Sequence, residues 1–575
     1  VQLRLRAVDD AVVSRLANSL RVRSATARCL AGRGVVDPRD AQGFIDPRLA
    51  ALRPPTGLAG MPRAVERIAD AVQRRERIGV FGDYDVDGVT TAALLTSFLR
   101  DVGAEVDVAV ASREAGYGFT MSAASELARR NCKLVITGDC GTNDLEAIAV
   151  AAALGTEVIV IDHHTVPAAD VAHPSVSLVN PFRTDSTFPF RGMASVGLAF
   201  YVAAAVRTEL RDRGHFRDRP EPDVRDLLDL VALGTIADLV PLAAENRILT
   251  SLGLRRLGSQ PRPGIAAMLT ASGFDRDREI DAGTVAWRLA PRLNAPGRLG
   301  AAEPALALLL ADQDTATERA QALEAANLMR REIQAHVLEQ ALAQLGDRDP
   351  GPAVVLAGEG WTPGVVGIVA AKLVETYQRP AFVIAIDPET GLGRGSARTC
   401  GGVNLYDALC EVKAHLGKFG GHAAAAGFSL QRENVAALSE ALGSVVGRLA
   451  QGSGPVATAR EIDAEVRLGE VDERLATELA GLGPFGQANP QPLLVTRGAR
   501  VTAVRRVGDG SHLKLTIDDE RSTTRSAIGF RLGDRPVEVG ALVDLAFAPV
   551  VSTWQGHRSA ELELSDLAPS VVSIA

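Results

Sequence analysis

Hydrophobic and polar positions first change rhythm near residue 77. Residues 78–81 form a short apolar run after a charged, helical stretch, and from Val89 the spacing becomes that of an apolar-rich helix. Strand, turn and helix are predicted in that order. Apolar runs then alternate with helical stretches: Val106–Val110, a helix near 121–130, 134–136, a helix near 144–154, and 158–161. Such βαβ alternation predicts a parallel sheet covered by helices, with functional groups at the carboxyl ends of its strands. Residues 1 to about 75 read as helices joined by Pro-containing turns.

From 314 to 345 no Pro or Gly interrupts a helical pattern that carries Leu323, Met329, Ile333, Val337, Leu338, Leu342 and Leu345, and Gly346 closes it. One long helix is predicted, holding two domains at a fixed offset with a groove between them. A second α/β domain opens with a strand at 353–356 and a turn at 361–364 that enters a helix; a Gly-rich turn at 393–398 and a helix start at Gly420-Gly421-His422 follow. Beyond a polar linker at 451–455, five short alternating runs around 493–504, 512–518, 524–531, 541–551 and 558–565 predict a small barrel of OB type.

Composition narrows the class. With 575 residues there is length for three or four domains, and 46% hydrophobic with 23% charged residues is ordinary for a soluble globular chain. No apolar run of membrane-spanning length occurs and no signal-peptide stretch opens the sequence, so a cytoplasmic protein without membrane attachment is expected. Cys29, Cys132, Cys140, Cys400 and Cys410 include no Cys-x-x-Cys pair, which argues against a disulfide framework or a zinc ribbon. A net charge of -8 offers no global attraction to nucleic acid, so any such binding rests on local basic surfaces.

The candidate chemistry sits at the strand ends. Asp83, Asp85 and Asp87 alternate on the first strand-to-helix turn, where three converging carboxylates repel one another unless cations hold them. A calcium-binding EF-hand loop is excluded because its twelfth position, which needs Glu, is Leu94. Asp139 follows the run ending at Gly138, and Asp162-His163-His164 follows the next strand, so both fall on the same edge. Asp238 stands alone in the apolar segment 227–242, as a buried ligand or a helix cap, with Gly234 able to end the helix before it. Carboxylates with imidazoles suit Mn²⁺ or Mg²⁺, the histidines tilting the choice toward Mn²⁺. A pair of such ions suits in-line phosphodiester hydrolysis. Arg288, Arg292 and Arg298, with Asn294 among them and no acid between, suit phosphate, and so do Ser396 and Arg398 on the Gly-rich turn. Near the barrel, Arg497, Arg500, Arg505, Arg506 and Lys514 form a basic cluster, with Phe485, Phe530, Phe547 and Trp554 as candidate stacking aromatics.

Gly-Asp-Tyr-Asp-Val-Asp-Gly, Asp139-Cys140-Gly141, Asp162-His163-His164 and Gly-Thr-Ile-Ala-Asp238 resemble, in order, the motifs of the DHH phosphoesterase superfamily. Pro-Arg-Leu-Asn-Ala-Pro-Gly-Arg298 and Gly420-Gly421-His422 extend the likeness to the RecJ family, from about residue 50 onward. The resemblance implies a multidomain α/β protein. Its parts would be a DHH parallel-sheet domain with an N-terminal helical extension (1–313), a connecting helix (314–348), a smaller α/β DHHA1 domain (349–450) and an OB-type barrel (451–575). It implies that Asp85, Asp87, Asp139, His163 and Asp238 bind two Mn²⁺ or Mg²⁺ ions, while Asp83 and His164 support the site or contact substrate. Arg292, Asn294, Arg298, Ser396, Arg398 and His422 would then contact DNA phosphates. The activity implied is single-strand-specific 5′→3′ exonuclease action releasing 5′-mononucleotides in DNA repair and recombination. The partners implied are single-stranded DNA, single-strand-binding protein and a RecQ-type helicase. Two rivals are a phosphodiesterase of short oligonucleotides and a non-catalytic single-strand-binding relative; the chain's length opposes the first and its filled ligand positions the second. Phe81 and Thr362 stand where many relatives carry His, and Gly483 and Ala488 stand where RecJ-like relatives carry Glu and Gly.

Overall fold

The computed structural model describes residues 2–113, 116, 118–166, 172–275, 277–451, 459–519, 521, 523–554 and 557–570. They form two compact units, Pro55–Asp238 with Arg255–Ala457, and Val1–Pro54 with Leu239–Leu254 and Thr458–Ala575.

The first unit is built on five parallel strands in the order Val106–Val110, Ile78–Gly82, Leu134–Gly138, Glu157–Ile161 and Ser177–Val179. The last of these, three residues long, has no sequence signal of its own. Ile78, Val80, Leu134, Val135, Ile136 and Ile159 are fully buried, as near-continuous apolar runs in a doubly covered parallel sheet should be. Numbered along the chain, the strands read 2-1-3-4-5 across the sheet. The winding reverses between the first and third, which makes the carboxyl ends of Ile78–Gly82 and Leu134–Gly138 the topological switch point.

A second sheet in the same unit runs Phe419–Gly421, Ala425–Gln431, Leu392–Arg398, Ala381–Ile386, Val354–Glu359, with only the last pair parallel. Residues 393–398 are therefore a strand and not a Gly-rich turn: the glycines lie where Phe428 and Leu430 cross the strand, and a Cβ on Gly395 would meet the Phe428 ring at 2.2 Å. Gly420-Gly421-His422 likewise opens a hairpin rather than a helix, with the His422 amide bonded to the Ala425 carbonyl at 2.8 Å.

The long helix is Gln313–Leu345, about 50 Å of rise, started by Asp312, whose carboxylate accepts from the Thr315 amide at 3.0 Å. Its first half, through Ala316, Ala320, Leu323 and Asn327, packs beside helices Pro263–Ala271 and Ala290–Leu299; its second, through Val337 and Ala341, joins the core of Trp361, Val365 and Val369. Met329 and Leu342, expected in the apolar stripe, are exposed. The helix is not the sole link: a Cβ on Gly364 would come within 1.9 Å of the Arg298 carbonyl oxygen, so the two α/β domains also touch backbone to backbone there.

The second unit holds a closed five-stranded barrel. Leu494–Val507 pairs with both His512–Asp518 and Leu542–Trp554, and closure runs through Thr524–Gly529 and His557–Pro569, the latter two parallel. Irregular register between Thr496 and Ala499 and between Val501 and Ala503 lets one long strand bend to serve two neighbours. Leu513, Leu515 and Ile517 alternate inward and are fully buried. Residues 1–54, placed by chain order in an extension of the sheet domain, belong instead to this unit. Gln2–Leu5 pairs in parallel with Ala459–Ile462, and Leu16, Cys29 and Leu30 share one core with Leu479, Leu494 and Phe547. Among the described residues no helix is long and apolar enough to cross a membrane.

Candidate active site

Asp83 directly follows Ile78–Gly82, Asp85 is the N-cap of helix Val86–Asp101 with its carboxylate accepting from the Gly88 amide at 3.1 Å, and Asp87 lies in that helix's first turn. The three therefore converge through a strand end and a helical turn, not by alternation in an extended segment. The helix N-terminus favours this gathering of negative charge. Asp87 also accepts from the amides of Ser195 (2.7 Å) and Val196 (3.0 Å), so one buried carboxylate caps a second helix, Ser195–Asp212.

Asp139 follows Leu134–Gly138 with φ 63°, in the left-handed region that Asp tolerates better than most residues, and its Oδ1 accepts from Ser195 Oγ at 3.0 Å. Asp162, at the end of Glu157–Ile161, accepts from the amides of Thr142, His163 and His164 and meets His164 Nδ1 at 2.7 Å. His163 Nε2 lies 3.3 Å from Asp139, 3.5 Å from Asp238 and 3.9 Å from Asp87. Asp238 is the C-cap of Leu228–Ala237, so that helix runs through Gly234 instead of ending at it. Glycine is needed there for closeness: a Cβ would stand 2.4 Å from Thr90 Oγ1 and 2.9 Å from Asp87 Oδ1.

Without cations this pocket resists its own charge. Burial, followed by the negative charge of Asp85, pushes Asp83 and Asp87 up to about 7; burial with Asp87 and Asp85 pushes Asp238 up to about 8. Asp139 is raised well above the carboxylate range by burial and then by Asp85 and Asp87. Burial and the charge of His164 bring His163 down to about 4, leaving it neutral at pH 7, and its hydrogen bond to the Met193 backbone helps fix the ring. Burial opposes charge at Asp162 and His164 too, but their mutual hydrogen bond prevails: Asp162 is held well below its ordinary value and His164 rises to about 9.

Both buried oxygens of Asp83 and Oδ2 of Asp238 make no hydrogen bond among the described residues. Three overlapping groups can each hold an ion: Asp139, His163 and His164; Asp87, His163 and Asp238; Asp83, Asp85 and Asp139. Orphaned oxygens, raised carboxyls and a neutral imidazole at a shared corner fit a pair of divalent cations, with oxygen and imidazole donors of the type Mn²⁺ and Mg²⁺ take.

Beside this centre lies a group of guanidiniums. Arg298 is brought down to about 10 by burial and then by its neighbours Arg113, Arg330 and Arg398. Arg113 stacks over Tyr84 with its guanidinium carbon 4.4 Å from the ring centroid. Ser396 and Arg398, on one face of their strand, both approach Gly367 in the helix Pro363–Tyr377, and Arg298 donates to the Gly364 carbonyl at 3.1 Å. Cations and a hydroxyl beside the first turns of a helix are chemistry that suits an anion. Asn294 shares the helical face of Arg298, four residues away. His422, exposed on its hairpin, stands at the end of the sheet where Ala425 pairs with Arg398. Arg292 stands apart: its guanidinium is bound by Glu324 and by the Arg288 carbonyl, so it ties two helices together. Sequence reasoning missed Arg113, Arg330 and Ser195; Arg113 alone carried a signal, three residues past a strand on the shared carboxyl edge.

On the barrel, Phe547 is fully buried, Phe485 packs against the core, and the side chain of Trp554 lies outside the described residues. Of the described candidates Phe530 alone stands out, 54% exposed, with His512 edge-on at 5.4 Å. Arg497 is paired with Glu465 and Asp544 and Lys514 with Glu561, leaving Arg500, Arg505 and Arg506 exposed.

Fold and site together define a phosphoesterase class. Residues 77–235 match the DHH family N-terminal domain, 350–448 the DHHA1 domain and 462–566 the RecJ OB domain. The single-stranded-DNA-specific exonuclease RecJ of Bacillus subtilis is 34% identical over 569 residues, covering 98% of this chain and 70% of that protein. RecJ from Thermus thermophilus in complex with Mn²⁺ has 28% identity and a TM-score of 0.83 over 99% of this chain and 80% of that one. Its complex with Mg²⁺ gives a TM-score of 0.78 at 28% identity, covering 99% and 79%. The chain belongs to the RecJ family.

Proposed function

We propose that this protein is a metal-dependent exonuclease specific for single-stranded DNA, cutting phosphodiester bonds in the 5′→3′ direction with two Mn²⁺ or Mg²⁺ ions and releasing 5′-mononucleotides. One observation carries the reading: three overlapping ligand groups lie at the switch point of the sheet, in the same compact unit as the arginine group. The single-stranded-DNA-specific exonuclease activity of the Bacillus subtilis relative and the metals of the Thermus thermophilus structures support it.

Asp85, Asp87, Asp139, His163 and Asp238 would hold the ions, with Asp83 completing the acidic wall. When bound, such ions supply Lewis acidity and lower the pKa of water at the reacting phosphorus. Ser195 orients Asp139, and the helix it begins orients Asp87. Asp162 keeps His164 protonated, a fixed cation suited to a phosphate oxygen as charge develops. Arg298, Arg398 and Ser396, with Arg113 and Arg330, would hold the terminal phosphate, and His422 would flank it. The barrel's exposed arginines and Phe530 would gather the strand. A role in repair and recombination, beside single-strand-binding protein and a RecQ-type helicase, follows from the same reading.

The test uses 5′- and 3′-labelled single-stranded and duplex DNA with Mn²⁺, Mg²⁺ or EDTA, comparing wild type with Asp139→Ala. Metal-dependent release of 5′-mononucleotides from single strands, absent in the variant, is expected. Binding without cleavage under every metal would sink the reading.

A further inference from the structure

Trp287 is the most exposed large hydrophobic residue among those described, at 82%. A tryptophan left in water forgoes the burial that is its main contribution to folding. Its backbone is nonetheless held fast. It sits in a π-helical turn, Val285–Leu289, whose end residues Val285 and Leu289 are fully buried. The adjoining Arg288 donates to the Ser272 carbonyl at 2.9 Å and lies 5.7 Å from the Phe274 ring centroid. A π-turn inserted in a helix often marks a functional position. Here it presents an indole to solvent from a fixed backbone.

The placement says what for. Residues 282–299 form one continuous helical run, α to π to α. Along it Trp287, Pro291, Asn294 and Arg298 follow the i, i+4, i+7, i+11 spacing of a single face. The eleven residue steps from Trp287 to Arg298 span about 16 Å. At the far end of that face is the group of Arg298, Arg113, Arg330 and Arg398, which no acidic side chain of the described residues neutralises at Arg298. A chain anchored there by a phosphate and running along the helix face would bring an unpaired base, not a phosphate, to an apolar ring.

We propose that Trp287 is a stacking platform for a nucleobase of single-stranded DNA, a few nucleotides from the end held at the arginine group. The inference rests on the exonuclease reading and deepens it: the site takes a base irrespective of sequence, because every base offers a π-face, and a paired base has no face to give. Trp287 touches substrate but no reacting atom, so it governs strand capture and not the chemical step.

The experiment compares wild type, Trp287→Ala and Trp287→Phe on a single-stranded 20-mer and on a dinucleotide. Affinity is read by anisotropy in EDTA, and KM and kcat in Mn²⁺. Trp287→Ala is expected to weaken 20-mer binding and raise its KM about tenfold, with kcat and dinucleotide hydrolysis unchanged, and Trp287→Phe to restore most of the loss. Moving one abasic nucleotide along the 20-mer should reveal a position whose missing base weakens wild type but not Trp287→Ala. Equal affinities for the 20-mer, or identical abasic profiles in wild type and Trp287→Ala, would overturn the inference while leaving the exonuclease reading intact. Failure of wild type to bind or cut single strands would remove the reading itself.

Discussion

Stripping the divalent ions should make the protein less stable as pH rises, and the effect can be sized from Asp238. Its carboxyl, three-quarters or more shielded, rises from 3.8 to about 8 in the folded chain through burial and the charges of Asp87 and Asp85. A carboxyl with a raised folded pKa stabilises while protonated: that stability is fully present below the unfolded value and is lost as pH rises through the folded one. One pKa unit is worth about 1.4 kcal/mol, so between pH 6.5 and 8.5 Asp238 alone should remove about 2 kcal/mol. Asp83 and Asp87 act in the same direction as a coupled set, and so does His164, raised to about 9. His163, lowered to about 4, exerts its opposing effect below its ordinary pKa and drops out of this window. The assay is urea unfolding in EDTA at the two pH values, repeated with Mn²⁺, followed through Trp361, which is buried in the same compact unit. In EDTA the free energy of unfolding should fall by about 2 kcal/mol or more, and Mn²⁺ should stabilise more at pH 8.5 than at 6.5. Equal metal-free stability at both pH values, or a Mn²⁺ effect independent of pH, would refute the reasoning.

Three further outcomes follow. Arg298→Ala should raise KM for single strands and flatten its salt dependence by about one phosphate's worth, whereas Arg292→Ala, which frees Glu324, should lower thermal stability and leave the salt slope alone. Gly234→Ala, placing a methyl 2.9 Å from Asp87 Oδ1, should cost about 1–3 kcal/mol in a melt and weaken Mn²⁺ binding measured by titration calorimetry. Phe530→Ala should weaken binding of long single strands without changing dinucleotide hydrolysis in a steady-state assay.

What the sequence showed of this site was its local part. Each of Asp83, Asp139 and Asp162 is announced by the apolar strand immediately before it, because the functional groups of a parallel sheet stand at the carboxyl ends of its buried strands. The barrel was legible for the same reason, from inward alternation such as Leu513, Leu515 and Ile517. Contacts made across the fold were not. Nothing near Arg292 reveals that Glu324 neutralises it from 32 residues away, and nothing around Gly234 separates a helix stop from a gap left for Asp87. The pairing of Gln2–Leu5 with Ala459–Ile462 joins segments more than 450 residues apart, so residues 1–54 could not be assigned to the barrel's unit by order along the chain. Glycines in 393–398 and 420–421 imitate loop chemistry, yet they admit Phe428 and its neighbours across a hairpin.

The central claim is that carboxylates and the His163 imidazole, from four separate segments, hold two ions. Its most direct measurement is anomalous diffraction at the manganese edge from crystals grown with Mn²⁺. The account predicts two peaks, one against Asp87, His163 and Asp238 and one against Asp85 and Asp139, the second beside Asp83. No peak among these residues at saturating Mn²⁺, or peaks held by other side chains, would contradict it.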